Sequence, residues 1–197
     1  SSDVWCIPYR IGIGWGDLYV SLHKHEFHSQ IAHFDVAWNR AYSGINSCNK
    51  LLDDPKIQED EKTSSQLRAY RAMYYYLLFD LFRNVPLDTQ FAHEEGWLPE
   101  QASTQEMWDF LISELNDIKG KCGNDNIMGK INNYAVNMML AKLYLNHNAY
   151  FRGANELSYD DSDKSWYGKC IDELNEIINS GVYSLSNNYL DNFKEDI

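Results

Sequence analysis

The sequence has no run of eighteen or more apolar residues, although 44% of its 197 residues are hydrophobic and 14% aromatic. No segment therefore reads as a membrane-spanning helix, while the apolar stock suffices for one domain with a core, or for two small lobes. The opening, SSDVWCIPYR, has no basic stretch and no apolar stretch, so no signal peptide is expected in it. Basic residues are few: 17 Lys and Arg stand against 29 Asp and Glu, a formal net charge of −12. Such a chain repels phosphate backbones and anionic lipid surfaces, and nucleic acid is excluded as an expected partner. The acidity otherwise speaks of solubility and names no substrate.

The four cysteines, Cys6, Cys48, Cys122 and Cys170, include no C-x-x-C, which excludes a zinc ribbon or a thioredoxin-type motif. Their spacing carries no disulfide framework. Cys48 and Cys170 fall on apolar helix faces, where a thiol acts as a small hydrophobe. The sequence also lacks a Ser-His-Asp order, a glycine-rich phosphate loop and a nucleophile elbow. Gly12-Ile13-Gly14-Trp15-Gly16 is not followed by a helical pattern and is no dinucleotide fingerprint. No carboxylate pair points to glycoside hydrolysis. His23, His25, His28 and His33 gather with Glu26, but their spacing misses the H-E-x-x-H pair, so they read as polar residues at a helix start. Asp160, Asp161 and Asp163 invite a calcium reading. An EF-hand loop begun at Asp161 would put Trp166 at the glycine and Asp172 at the bidentate glutamate. A structural calcium ion thus has no motif behind it, and a solvated acidic loop is the plainer expectation.

What is present is helical period. Five amphipathic stretches are expected. The first, about 29–52, carries Ile31, Phe34, Trp38, Tyr42, Ile45, Cys48 and Leu52 at steps of three and four, and Pro55 ends it. The second, about 59–82, has the stripe Leu67, Tyr70, Tyr74, Leu77, Leu78 and Leu81, with Arg68, Arg71 and Asp80 off that line. Asn84 is expected to take the left-handed turn after it. Some twenty residues without period follow, Val85 to Ala102, and loops of that length are usually functional or ordered by a partner. Ser103 and Glu106 form a capping box that opens the third helix, whose face is Met107, Trp108, Leu111, Ile112, Leu115 and Ile118. The fourth runs from about 131 to 146. The fifth runs from about 164 to 180, with Gly181 as its stop. Short connections imply antiparallel pairs, and stacked pairs are the units of helical-repeat proteins. Trp38, Trp108 and Trp166 stand 70 and 58 residues apart, so the regular 34-residue tetratricopeptide period is not visible. Residues 1–28 mix Gly, Trp, Tyr, Arg and Asp without period and are expected to form an irregular leader on the helices. Trp5, Tyr9, Trp15, Tyr19 and Trp97 lie in irregular segments. Either they pin those segments down, or they stack on sugar faces while Asp3, Arg10 and Asp17 bond hydroxyls, the usual mixture of a concave site.

The block Gln66 to Leu87, QLRAYRAMYYYLLFDLFRNVPL, resembles the signature helix and turn of the SusD/RagB family. AWNRAYSGINSCNKLL, residues 37–52, is similar to the family's preceding helix, and residues 106–118 to the helix after the loop. Ala141-Lys142-Leu143-Tyr144-Leu145 and Ser180-Gly181-Val182-Tyr183-Ser184-Leu185, with Asn188, Tyr189 and Phe193, resemble later blocks, and Ser2-Asp3, Ile7-Pro8, Arg10, Trp15, His23 and His25 resemble the lead-in. Arg83 stands where the family has glycine, Lys142 where arginine is commoner, and no arginine precedes Ser103-Thr104. The resemblance implies an all-α, tetratricopeptide-like domain of stacked antiparallel helix pairs over 29–197, shorter than family members, lacking their lipidated N-terminus and C-terminal half. It implies non-enzymatic binding of a glycan, with no cofactor, no catalytic residue and no metal, and delivery to a SusC-like TonB-dependent transporter. It implies a surface-exposed lipoprotein of the outer membrane, held through a lipid anchor outside this chain. Ligand contacts are then expected from Asp3, Trp5, Arg10, Trp15, Asp17 and Trp97, with Trp15, Arg10 and Asp17 tipped towards that role. A RagB-like binder of peptides and a protein-interaction scaffold are the alternative readings.

Overall fold

A computed structural model of the chain describes residues 16–152 and 164–193. Among them are eight α-helices: α1 Gly16–His23, α2 Ala32–Leu52, α3 Pro55–Glu59, α4 Glu61–Phe82, α5 Thr104–Ile118, α6 Asn133–Leu145, α7 His147–Phe151 and α8 Ser165–Asn179, before a 3-10 turn at Tyr189–Phe193. The described residues contain no strand, only an isolated bridge between Pro86 and Gln101. The protein is all-α, as its periodicity implies. No described helix is long and apolar enough to cross a membrane.

Contacts divide the chain into two compact units, residues 1–43 and 44–197. In the first, α1 corrects the expectation of a wholly irregular leader. Eight residues make little more than two turns, too few for a stripe to repeat and be read. Tyr19 meets His33 edge-on at 5.0 Å, Phe27 meets Phe34 at 5.8 Å, and Ile31 is buried. Trp38, on the apolar stripe expected of the first helix, is half-buried against Tyr42.

In the second unit the helices pair antiparallel, and side-chain register shows it. Along α4, Lys62, Gln66, Arg68 and Tyr75 meet Asp125, Cys122, Glu114 and Phe110 in descending order. Along α6, Asn132, Asn137 and Tyr144 meet Tyr183, Glu173 and Trp166 in the same opposed sense. Met107, Leu111, Leu115 and Ile118 of α5, with Val136, Leu140 and Leu143 of α6, are fully buried between the pairs. Caps match the sequence. Ser103 and Glu106 close both arms of the capping box, Asp54 caps α3 at Pro55, and Gly181 takes φ +67 beyond α8.

Two expectations on α4 need correction. Its buried face is Ala69, Ala72, Tyr75, Leu78 and Phe79, while Leu77 and Leu81 of the expected stripe are exposed. The face turns because the small Ala69 and Ala72 admit close neighbours and because Arg71 is buried with partners. The left-handed residue is Arg83 at φ +64, not Asn84. Its guanidinium lies 4.4 Å over the Tyr150 ring and 5.1 Å over Phe79, a cation–π seat that offsets an unfavourable backbone. Burial there pulls the Arg83 pKa down.

The rotated face is testable. Phe79→Ala should destabilise the protein by about 3–5 kcal/mol, and Leu81→Ala by less than about 1 kcal/mol, in chemical denaturation. Equal losses would restore the stripe read from periodicity.

Candidate functional site

The segment between α4 and α5 is closed at its neck and tied along its length. At the neck, the Ala102 N–H donates to the Val85 carbonyl at 3.0 Å, Gln101 Nε2 to the Asn84 carbonyl at 2.7 Å, and the Thr104 hydroxyl to Asn84 Oδ1 at 2.9 Å. Val85 is buried beneath. Such a closed neck is the mark of an Ω-type loop.

Three side chains of the helices hold the loop from below. Arg71 of α4 donates through Nη2 to Glu114 of α5 at 2.7 Å, and through Nη1 to Asn49 Oδ1 at 3.0 Å and the Thr89 carbonyl at 3.1 Å. Asn49 of α2 donates in turn to the carbonyls of Asp88 and Gln90, both at 3.1 Å. The Tyr75 hydroxyl donates to the Asp88 carbonyl at 2.6 Å and accepts from the Asp88 N–H at 2.8 Å. Burial pushes the Tyr75 hydroxyl up to about 12, so it stays protonated and keeps both roles. Arg68 grips the same Glu114 through Nε at 3.0 Å and Nη2 at 2.7 Å, and reaches Asp117 at 2.6 Å. Burial works against the charge on Glu114, but the hydrogen bonds from Arg68 and Arg71 outweigh it and hold the carboxyl below its ordinary value. Arg71 Nε is buried without a partner among the described residues, so this cation depends on its remaining bonds.

From Asp88 the ties continue outward. Its Oδ1 accepts the Gln90 N–H at 2.9 Å, and its Oδ2 meets His93 Nε2 at 2.8 Å. The His93 ring lies on Trp97 with centroids 3.6 Å apart and planes 2° apart. Gly96, at φ +86, makes the turn that brings Trp97 back over His93, and the Trp97 N–H donates to the Glu94 carbonyl at 3.1 Å. Trp97 remains 43% exposed. An indole fixed from one side presents its other face as a flat apolar surface. Beside Asn49, a cavity of about 320 Å³ is lined by Gln58, Thr89, Gln90 and Phe91 among others. Amides, a hydroxyl and an exposed ring, beside the Asp53 carboxylate, suit a hydroxyl-rich ligand that is not anionic.

Of the six residues expected to contact ligand, Trp97 is the one whose side chain is described and exposed in this way. Asp3, Trp5, Arg10 and Trp15 lie outside the described residues, and Asp17 falls within α1, with its side chain outside them. Asp160, Asp161 and Asp163 of the calcium reading also lie outside them. Among the described residues no three His, Cys, Asp or Glu side chains gather as a metal site. Cys48, Cys122 and Cys170 are free and buried. Asn49, Asp88 and His93 escaped the sequence reading. The available signal was an amide beside Cys48 on an apolar helix face, and two arginines one turn apart on a helix rich in aromatics.

No family model matches the sequence, and no curated protein matches it. Solved structures do. A SusD superfamily protein from Parabacteroides distasonis superposes with TM-score 0.72 at 24% identity, over 87% of this chain and 36% of its own. A laminarin-binding SusD-like protein gives 0.66 at 23% identity, over 87% and 36%. Surface glycan-binding protein A from Bacteroides thetaiotaomicron, in complex with laminarihexaose, gives 0.58 at 22% identity, over 81% and 32%. The chain spans about a third of the length of these structures, and the likeness is one of fold.

Two expectations follow from the clamp. Tyr75→Phe should destabilise the protein by about 1–2 kcal/mol and speed hydrogen exchange at the Asp88 amide, leaving that of Leu140 slowed only by global stability. The Glu114 carboxyl is lowered in the folded state, so its contribution is full above its ordinary value of 4.5 and fades as pH falls through the lowered one. The melting temperature should therefore drop on acidification below about pH 5, and Glu114→Gln should melt lower at pH 7 with a shallower acid slope.

Proposed function

We propose, from the premise that this chain has the SusD-like fold, that it captures a glycan at the bacterial surface without converting it. The observation that carries this reading is the Trp97 ring, fixed by His93 and Asp88 at the tip of a closed loop and open on its outer face. Pyranose rings present C–H faces that stack on an aromatic plane, and their hydroxyls bond amides such as those of Gln58 and Gln90. Two of the similar structures are named for glycan binding, one for laminarin and one in complex with laminarihexaose. The leader residues Asp3, Trp5, Arg10, Trp15 and Asp17 are proposed as further ligand contacts in this reading. Capture of this kind needs no cofactor and no catalytic group. Delivery to a TonB-dependent transporter, and a lipoprotein's place on the outer membrane, complete the proposal. The paired helices would offer the extended face on which such a transporter is met.

Titration calorimetry with laminarihexaose and maltohexaose tests it. Trp97→Ala should weaken binding by about thirtyfold, corresponding to about 2 kcal/mol for a central aromatic anchor, while Trp97→Phe keeps part of it. If Trp97→Ala and Trp15→Ala leave every affinity unchanged, the chain is a scaffold. If peptides bind and sugars do not, the RagB-like reading replaces this one.

A further inference from the structure

A cavity of about 520 Å³ lies away from the loop, where the α5–α6 connection faces the end of α8. Its size falls within the range of small-molecule sites. Its charges are paired. Lys119 Nζ donates to Glu176 at 2.8 Å and to the buried Glu173 at 2.9 Å, and these bonds outweigh burial in raising the lysine's pKa. An anionic ligand would find no free cation there.

The rest of the wall is amide and phenol. Asn137, 2% exposed, donates from Nδ2 to Glu173 at 2.7 Å and to Glu176 at 2.8 Å. Both acceptors are carboxylates, which donate nothing when ionised, so the amide cannot be flipped and its oxygen is the group left to accept. Asn133 is equally fixed: its Oδ1 accepts the Cys122 N–H at 2.9 Å, and its Nδ2 donates to Asn124 Oδ1 at 2.9 Å, leaving the Asn124 amide hydrogens as donors. Asn179, on the last turn of α8, lines the cavity without a hydrogen bond to the described residues. The half-buried Tyr134 ring supplies an apolar wall. It is held edge-on by Tyr183 at 5.6 Å and 90°, whose hydroxyl accepts from Asn132 Nδ2 at 2.9 Å.

We infer that this cleft is a second saccharide-contact site, taking one or two units of an uncharged glycan between Tyr134, Asn137 and Asn179. A fixed acceptor, oriented amide donors and one ring face match the alternating hydroxyls and C–H faces of a neutral pyranose. The groups are ordered before any ligand arrives, which spares the ordering entropy of binding. Two separated contact sites on one chain would raise the retention of a polymer far more than that of a short sugar. The inference rests on the glycan reading above, extends it to a different surface, and stands or falls on its own residues.

The experiment is amide and indole NMR of the whole chain titrated with laminarihexaose, maltohexaose and tetraglycine, repeated on Trp97→Ala, Tyr134→Ala and Asn179→Ala. The side-chain amides of Asn124, Asn137 and Asn179 should shift with a hexasaccharide and go on shifting in Trp97→Ala. Asn179→Ala, at an exposed position whose loss leaves the fold intact, should weaken that response by about fivefold, the worth of one hydrogen bond. Tyr134→Ala should abolish it. Shifts confined to the Trp97 indole would overturn the second site and leave the proposed function standing. Shifts at neither place would sink both. Shifts of the cleft amides with tetraglycine alone would make it a peptide site and overturn the saccharide assignment.

Discussion

Arg71 and Glu114 meet at 2.7 Å with about a tenth of each side chain in solvent, and the α4–α5 loop is hung from that contact. Neither ion would be tolerated there alone, since a buried charge stripped of its partner is strongly destabilising. Together they lock α4 to α5. The guanidinium has enough donors left to reach Asn49 and the Thr89 carbonyl. One buried pair thereby couples three helices to the backbone of a segment that has no regular structure of its own. Tyr75 adds the second tether, serving as donor and acceptor to the same residue, Asp88.

The order of forces runs from core to surface. Apolar burial among α4, α5, α6 and α8 sets the helix pairs. Polar bonds between the pairs then fix what burial leaves undetermined, the path of residues 85–102. The neck bonds at Val85–Ala102 and Asn84–Gln101 stop that path from fraying. Exposure of Trp97 is the outcome. The same logic governs the cleft beside α8, where Lys119 bridges Glu173 and Glu176 and the two carboxylates orient Asn137.

Much of the architecture was legible in the sequence because helices write their burial at a fixed interval. The α5 stripe and its capping box stand as the spacing implied, and Gly181 closes α8. On α4 the reading failed, since every turn carries an apolar or aromatic residue and the period has several phases. Partners decide among them: Arg71 goes inward because Glu114, Asn49 and Thr89 await it, information that lies 43, 22 and 18 residues away. α1 and α7 were too short to show a repeat. Trp97 was flagged as an aromatic in an irregular segment, but its support by His93 and Asp88 depends on a turn at Gly96 that no period announces. Arg83 shows the converse. A departure from the glycine expected of the resemblance keeps the positive φ, because two rings below it receive the guanidinium.

The hydrogen-bond tethers of the α4–α5 segment fall on Asn84–Gln90 and Gln101–Ala102. Phe91, Trp97 and Leu98 are all exposed. Trp97 and Leu98 thus stand on a fixed frame and can be exchanged without removing a core side chain. Loop positions of this kind can vary in sequence while the helices that frame them stay as they are.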